Sequence, residues 1–206
     1  MSERLFLPGP VGRLQAIHDN GNPGQPAVVI CHPHPLYGGT MNNKVVYWMA
    51  QAFSDHGCST LRFNFRGVDD SDGAWGDGIG EADDTRAAIN WLSERHANSP
   101  LWVAGFSFGC YAGLRAARDD RRVSRLFAVA PAVTHYDFSF MKGDTRPLAV
   151  IIGTNDEIVP FAAVASWSES LAQARFYALN DAGHFFPQHK LQLVNILIAE
   201  AFGSNP

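Results

Sequence analysis

A chain of 206 residues, 46% of them hydrophobic, is long enough to fold as one domain with a sizeable core, since domains run to roughly 100–200 residues. Only 17% of the residues are charged, below the usual quarter or so, which suits a sheet covered on both faces. The net charge of −4, with no basic cluster beyond Arg121, Arg122 and Arg125, lacks the footprint of a nucleic-acid binder.

Met1 to Phe6 carry no long apolar core followed by a cleavage site, and no later segment reaches the length of a membrane span. The expectation is a soluble, cytoplasmic protein with no membrane partner. Cys31, Cys58 and Cys110 are an odd count lying in or beside apolar runs, which reads as buried free thiols and no disulfide framework.

Residues 4–18 alternate loosely around Pro8-Gly9-Pro10 and suggest two short antiparallel edge strands. Ala27 to Cys31 is continuously apolar, the mark of a strand buried on both faces of a parallel sheet, and it stops at His32-Pro33-His34-Pro35. Thr40 can cap a helix that places Val46, Met49, Ala50 and Phe53 on one face and ends at Gly57. In the next strand, Thr60 to Phe65, Leu61, Phe63 and Phe65 alternate with Arg62 and Asn64, and Arg62 fits a doubly covered sheet awkwardly.

Gly67 to Gly80 is a glycine- and aspartate-rich loop without periodicity. Setting Gly73 at the sixth position of an EF-hand places Val68 first and Ile79 last, where carboxylates are required. The EF-hand is rejected, and the loop carboxylates are read as solvated. A helix from Glu81 carries Ala82, Thr85, Ile89 and Leu92 on one face and ends near Pro100.

Leu101-Trp102-Val103-Ala104 then runs into Gly105-Phe106-Ser107-Phe108-Gly109, which reads as strand, tight turn, helix. A strand turning straight into a helix forces the central residue into strained backbone angles, with room only for glycine two positions either side. The turn presents the Ser107 hydroxyl and leaves the Phe108 N–H at a helix N-terminus, where developing negative charge is favoured. Cys110 would face into the helix beyond and is read as core.

Two further buried strands, Leu126 to Ala130 and Leu148 to Ile152, are followed by a helix starting at Pro160, a last strand from Arg175 to Leu179 and a final helix from about Gln188 to Phe202. Strands alternating with helices argue for an α/β fold with a mostly parallel sheet, whose ligands bind outside the carboxyl ends of the strands. His32-Pro33-His34, Ser107, Asp156 and His184 each lie just past such an end. A serine hydroxyl needs a base to take its proton and a carboxylate to orient that base, and this rim offers both.

Through Cys31 to Gly39, Asn64 to Val68, the Gly-x-Ser-x-Gly turn, Gly153 to Pro160 and Gly183 to Phe186, nearly the whole chain resembles the α/β-hydrolase superfamily. Within it, the resemblance is to the small bacterial serine hydrolases without a lid domain. It implies an α/β-hydrolase fold: a mostly parallel central sheet flanked by helices on both faces, with residues 1–206 forming one domain. It also implies a catalytic set of Ser107, Asp156 and His184, in the superfamily's order of nucleophile, acid and base. The family's Gly-x-x-Asp after a strand matches only Asp156, although Glu157 or Asp144 could substitute in principle.

The oxyanion of acyl transfer needs two donors. Phe108 supplies one, and the other is expected from the loop after Ala27–Cys31. Pro33 and Pro35 have no N–H, which leaves His34, matched by position through its backbone, with Leu36 second. Leu36, Tyr37, Trp75, Phe106, Phe108, Phe185 and Phe186 are expected to line the site and to suit an uncharged acyl group.

His32 and His34 without a third ligand make a weak zinc case, so no metal and no cofactor are expected. Serine as nucleophile sets the chain apart from the family's dehalogenases, which carry aspartate, and its dienelactone hydrolases, which carry cysteine. The implied activity is a carboxylesterase cleaving a small-molecule short acyl ester. A thioesterase or small amidase would use the same residues, and a non-catalytic scaffold that binds a partner is the alternative of another class.

Overall fold

The structure, a computed structural model, describes residues 2–203. A hairpin of β1 (Ser2–Gly9) and β2 (Gly12–Asp19) leads into β3 (Ala27–Cys31), α1 (Lys44–Asp55), β4 (Ser59–Phe63), α2 (Ile79–Arg95), β5 (Leu101–Phe106) and α3 (Phe108–Ala117). Then follow β6 (Val123–Val129), β7 (Leu148–Gly153), α4 (Phe161–Glu169), β8 (Ala174–Leu179) and α5 (Lys190–Phe202). The eight strands form one sheet in the order β1-β2-β4-β3-β5-β6-β7-β8. Pairing is antiparallel from β1 through β2 to β4 and parallel across the rest. The carboxyl ends of β3 to β8 therefore share one rim.

The apolar runs divide by alternation. Val29, Cys31, Leu61, Phe63, Val103 and Val150 face α2, α3 and α4, whereas Val28, Ile30, Ala104, Phe106, Phe127 and Ile151 face α1 and α5. Because both faces are buried, β3, β5 and β7 read as unbroken hydrophobic sequence. Among the described residues no helix is long and apolar enough to cross a membrane. Between β6 and β7 there is only a 3-10 turn, Ser139–Met141, in place of a lid. Phe138 and Met141 of that segment are buried in the core, so it packs down and does not hang free.

The polar residues of β4 and the loop after it displace one expected feature, the helix cap at Thr40. Arg62, directed away from Leu61 and Phe63, donates to the Met41 carbonyl (3.0 Å) and to Asn42 Oδ1 (3.2 Å), and its guanidinium lies 5.4 Å from the centre of the Tyr47 ring. Asn64 Oδ1 accepts the Met41 N–H (2.8 Å). These bonds hold residues 40–43 as a turn, so α1 is capped by Asn43, whose Oδ1 accepts from Val45 N–H (2.9 Å), and not by Thr40.

In the loop from Gly67 to Gly80 the carboxylates of Asp69, Asp70 and Asp77 are exposed, as the sequence suggests, and the loop is also held by hydrogen bonds from its own and neighbouring carboxylates. Asp69 accepts from Asn64 Nδ2 (2.9 Å), Asp72 accepts the Arg13 N–H (2.7 Å), and Glu81 accepts the N–H groups of Gly76 (2.9 Å) and Gly78 (2.8 Å). Arg66 closes the loop's base by donating from its backbone N–H, Nε and Nη2 to Asp84, whose side chain has no exposed surface. A Cβ on Gly80 would lie 2.4 Å from this guanidinium.

Candidate active site

Ser107 sits between β5 and α3 at φ 55° and ψ −118°, a conformation that costs a non-glycine residue on the order of 1–3 kcal/mol. Two close approaches hold it there. A Cβ on Gly105 would come within 2.4 Å of the Gly109 carbonyl, and one on Gly109 within 2.3 Å of the Cys31 carbonyl. Glycine at both positions lets α3 begin directly against the end of β3. Cys110 lies beneath the turn with its thiol donating to the Gly105 (3.1 Å) and Val129 (3.3 Å) carbonyls, and burial pushes its pKa well up. It is core, as its position in the sequence suggests.

The loops after β7 and β8 are joined to each other. The Asn155 N–H donates to the Ala182 carbonyl (3.0 Å), and Thr154 Oγ1 accepts the Asp181 N–H (2.9 Å). A Cβ on Gly153 would meet the Ala182 carbonyl at 2.1 Å. This contact places His184 Nδ1 2.8 Å from Asp156 Oδ2, with 2% of the histidine side chain and none of the aspartate's exposed. Asp156 Oδ1 accepts the N–H groups of Ile158 (2.9 Å) and Val159 (2.7 Å). Both oxygens of Asp156 thus act as acceptors, and the carboxylate orients the imidazole by accepting its Nδ1–H. Glu157 does not take that place: its Oε2 accepts the backbone N–H of His184 (3.0 Å).

Ser107 and His184 line one pocket of about 670 Å³, together with Phe108, His34, Tyr37, Tyr136, His135, Ile158 and Phe185. No Lys, Arg, Asp or Glu is among its lining residues. The Ser107 side chain opens into this pocket with only 9% of the residue exposed, and so is more enclosed than a hydroxyl lifted into open solvent. The backbone N–H groups of Phe108 and His34 have no acceptor among the described residues. That of Leu36 is engaged, donating to His34 Nδ1 (3.2 Å).

Of the side chains expected to line the site, Tyr37, Phe108 and Phe185 do so, and Leu36, Trp75, Phe106 and Phe186 do not. Leu36 points outward at 65% exposure. Phe106 and Phe186 are wholly buried, and the Phe106 ring supports the His184 ring from 5.0 Å. Trp75 lies behind His34, stacked at 4.6 Å. Asn43, His135 and Ile158 line the pocket without having been singled out in the sequence; each lies in an irregular segment that carries no periodicity.

His32 is fully buried and committed to the backbone: Nδ1–H donates to the Pro33 carbonyl (2.6 Å), and Nε2 accepts the Phe65 N–H (3.0 Å). With His34 Nδ1 also occupied, the two histidines do not chelate. Among the described residues no three His, Cys, Asp or Glu side chains converge as metal ligands. A slightly larger cavity, about 720 Å³, lies between residues 118–124 and 140–146, but it has neither a histidine nor Ser107, and its charged lining includes the Asp144–Arg146 pair.

The family profile described as alpha/beta hydrolase fold matches residues 26–144. An uncharacterized protein of Rickettsia prowazekii is 34% identical over 194 residues, covering 89% of this chain and 82% of the relative. Among solved structures, an alpha-beta serine hydrolase homologue from Coxiella burnetii is 37% identical, with TM-score 0.90 and 95% of each chain covered. A serine hydrolase without a lid from Xanthomonas campestris is 38% identical, with TM-score 0.88, covering 97% of this chain and 93% of that one. The matched profile takes in the strand, turn and helix around Ser107, and the similarity to the solved structures spans both halves of the rim; the chain belongs to the alpha/beta hydrolase family.

Proposed function

We propose that the protein is a carboxylesterase that cleaves compact, uncharged acyl esters through an acyl-enzyme. The observation that carries this reading is the buried Asp156–His184 hydrogen bond (2.8 Å) opening onto the pocket that Ser107 lines. Asp156 holds the His184 proton on Nδ1 and leaves Nε2 free to accept. Ser107 Oγ attacks the ester carbonyl carbon as its proton passes to Nε2. The carbonyl oxygen takes up the negative charge and is met by the free N–H groups of Phe108 and His34.

Collapse of the tetrahedral intermediate re-forms the carbonyl and breaks the bond to the leaving alcohol, which takes the proton from His184. Water then repeats the cycle on the acyl-Ser107, releases the acid and restores the serine. An uncharged substrate follows from a pocket lining without lysine, arginine or carboxylate.

The test is labelling with a fluorophosphonate probe. Wild type should be labelled at Ser107, and Ser107→Ala should lose both labelling and, by several orders of magnitude, ester hydrolysis. A parallel panel of nitrophenyl esters of rising acyl length, with thioester counterparts, refines the substrate. kcat/KM should rise about fourfold per buried methylene, from roughly 0.8 kcal/mol each, and stop at short chains. Continued gain to long chains, or a thioester preference, would replace the short-ester assignment. Unchanged labelling of Ser107→Ala would overturn the nucleophile.

A further inference from the structure

A general acid must reach the leaving oxygen, so in the reading above the leaving alcohol lies on the His184 side of the pocket, beside Phe185 and Ile158. The acyl group then faces the opposite wall, formed by His34, Phe108 and Tyr136. The chemistry of that wall is fixed by its hydrogen bonds.

His34 Nδ1 accepts the N–H of Leu36 (3.2 Å). A backbone N–H can only donate, so the neutral imidazole carries its single proton on Nε2. Burial first, and then the nearby His135, lower the His34 pKa and keep the ring neutral at pH 7. The ring is also clamped: it stacks on Trp75 (4.6 Å) and lies against Tyr37 (4.7 Å) and Phe108 (5.1 Å).

Tyr136 stacks on Tyr111 (4.7 Å) and also packs against Phe108 (5.2 Å). Burial, then the charge of Glu81, push its hydroxyl up to about 12, so it stays an O–H donor. Among the described residues neither His34 Nε2 nor the Tyr136 hydroxyl has a hydrogen-bond partner, and neither is one of the polar atoms sealed from solvent. The two ring centres are 6.3 Å apart, and both rings pack against the buried Phe108 ring.

We infer that this wall is a two-donor cradle: His34 Nε2–H and Tyr136 O–H take a neutral acceptor oxygen, a carbonyl or ether, carried on the acyl group. A carboxylate or phosphate would find no cation among the lining residues. The imidazole of His34 thereby selects the substrate, apart from the proposed role of its backbone N–H at the oxyanion. The assignment of this wall to the acyl half rests on the hydrolase reading.

The test compares methylumbelliferyl 4-acetylbenzoate with methylumbelliferyl 4-isopropylbenzoate, which are alike in size and differ by one acceptor oxygen. Each kcat/KM is divided by the ester's alkaline hydrolysis rate. Wild type should favour the acetyl ester about tenfold. Tyr136→Phe, which keeps the ring, and His34→Asn, whose Oδ1 can still accept the Leu36 N–H, should each cut that preference about threefold, the order of one neutral hydrogen bond.

A wild-type ratio near one, or a ratio that either variant leaves unchanged, overturns the cradle. Fluorophosphonate labelling of wild-type Ser107 reads the hydrolase assignment alone. Should labelling fail, calorimetric binding of the corresponding benzamides decides the cradle on the same ratio.

Discussion

Asp84 and Asp156 are both carboxylates with no exposed side-chain surface, and the molecule uses them in opposite ways. Asp84 lies within α2 and is gripped by the backbone N–H, Nε and Nη2 of Arg66. Asp156 lies in the loop after β7 and divides its oxygens between two backbone N–H groups and the imidazole of His184. A guanidinium keeps its proton at any working pH, whereas an imidazole gives up and takes back a proton near neutrality. The first pair is therefore a permanent charge pair that ties a loop to a helix. The second pairs a carboxylate with a ring that can gain and lose a proton, which is what the proposed reaction asks of His184.

That contrast predicts two different failures. Asp156→Asn removes the anion that holds the His184 tautomer, and kcat should fall about 10⁴-fold, with the thermal midpoint within a few degrees of wild type. Asp84→Asn strands the Arg66 guanidinium in a buried position and should cost about 3–5 kcal/mol of stability. For a domain of this size that is a midpoint lower by about 10 °C, with kcat per folded molecule changed less than about threefold. Calorimetry and active-site titration of both variants check the pair. An Asp156→Asn enzyme that melts early and keeps its rate would break the comparison.

The sequence discloses these regions unequally. β3, β5 and β7 are legible because their two buried faces make hydrophobicity independent of register. Ser107, Asp156 and His184 are legible because each follows such a strand. What could not be read depends on partners distant in the chain: Asp72 in the loop finds Arg13, and Asn64 finds Gln15. Arg62 looks misplaced until the Met41 carbonyl is seen above it. Phe106 was expected in the pocket because it adjoins Ser107, yet as the last residue of β5 it points to the α1 and α5 face and passes beneath His184. Alternation along the strand, and not nearness in sequence, decides which aromatic residues meet a substrate.

The two buried histidines extend the comparison to pH. In the proposed reaction His184 changes protonation at each step, whereas His32 bonds the Pro33 carbonyl and the Phe65 N–H in a way only the neutral ring allows. Burial lowers the His32 pKa from its ordinary 6.5 to about 3. Its contribution to stability is therefore complete above about pH 6.5 and is lost as pH falls toward 3, because the unfolded chain takes up a proton that the folded one refuses. By pH 4.5 the loss should be about 2–3 kcal/mol, at about 1.4 kcal/mol per unit. Urea denaturation at pH 7 and 4.5 should show this drop in wild type and a smaller one in His32→Gln. Equal drops would mean that His32 is not the group that titrates.

The smallest effect concerns the second carboxylate on the active side. Glu157 does not bond the imidazole and does not itself line the pocket; it accepts the backbone N–H of His184 (3.0 Å) and lies where a Cβ on Gly183 would stand 2.8 Å from Oε2. It is a positioning residue that fixes where the β8 loop carries His184, while Asp156 fixes how the ring is turned. Glu157→Gln keeps an acceptor for that N–H and should lower kcat less than about threefold. Glu157→Ala lets the loop shift and should lower kcat about tenfold with little change in KM, since the pocket walls stay in place. A residue that served only stability would lower the melting midpoint and leave kcat unchanged in both variants. A Gln variant as impaired as the Ala variant would show that the charge, and not the hydrogen bond, is what His184 needs from Glu157.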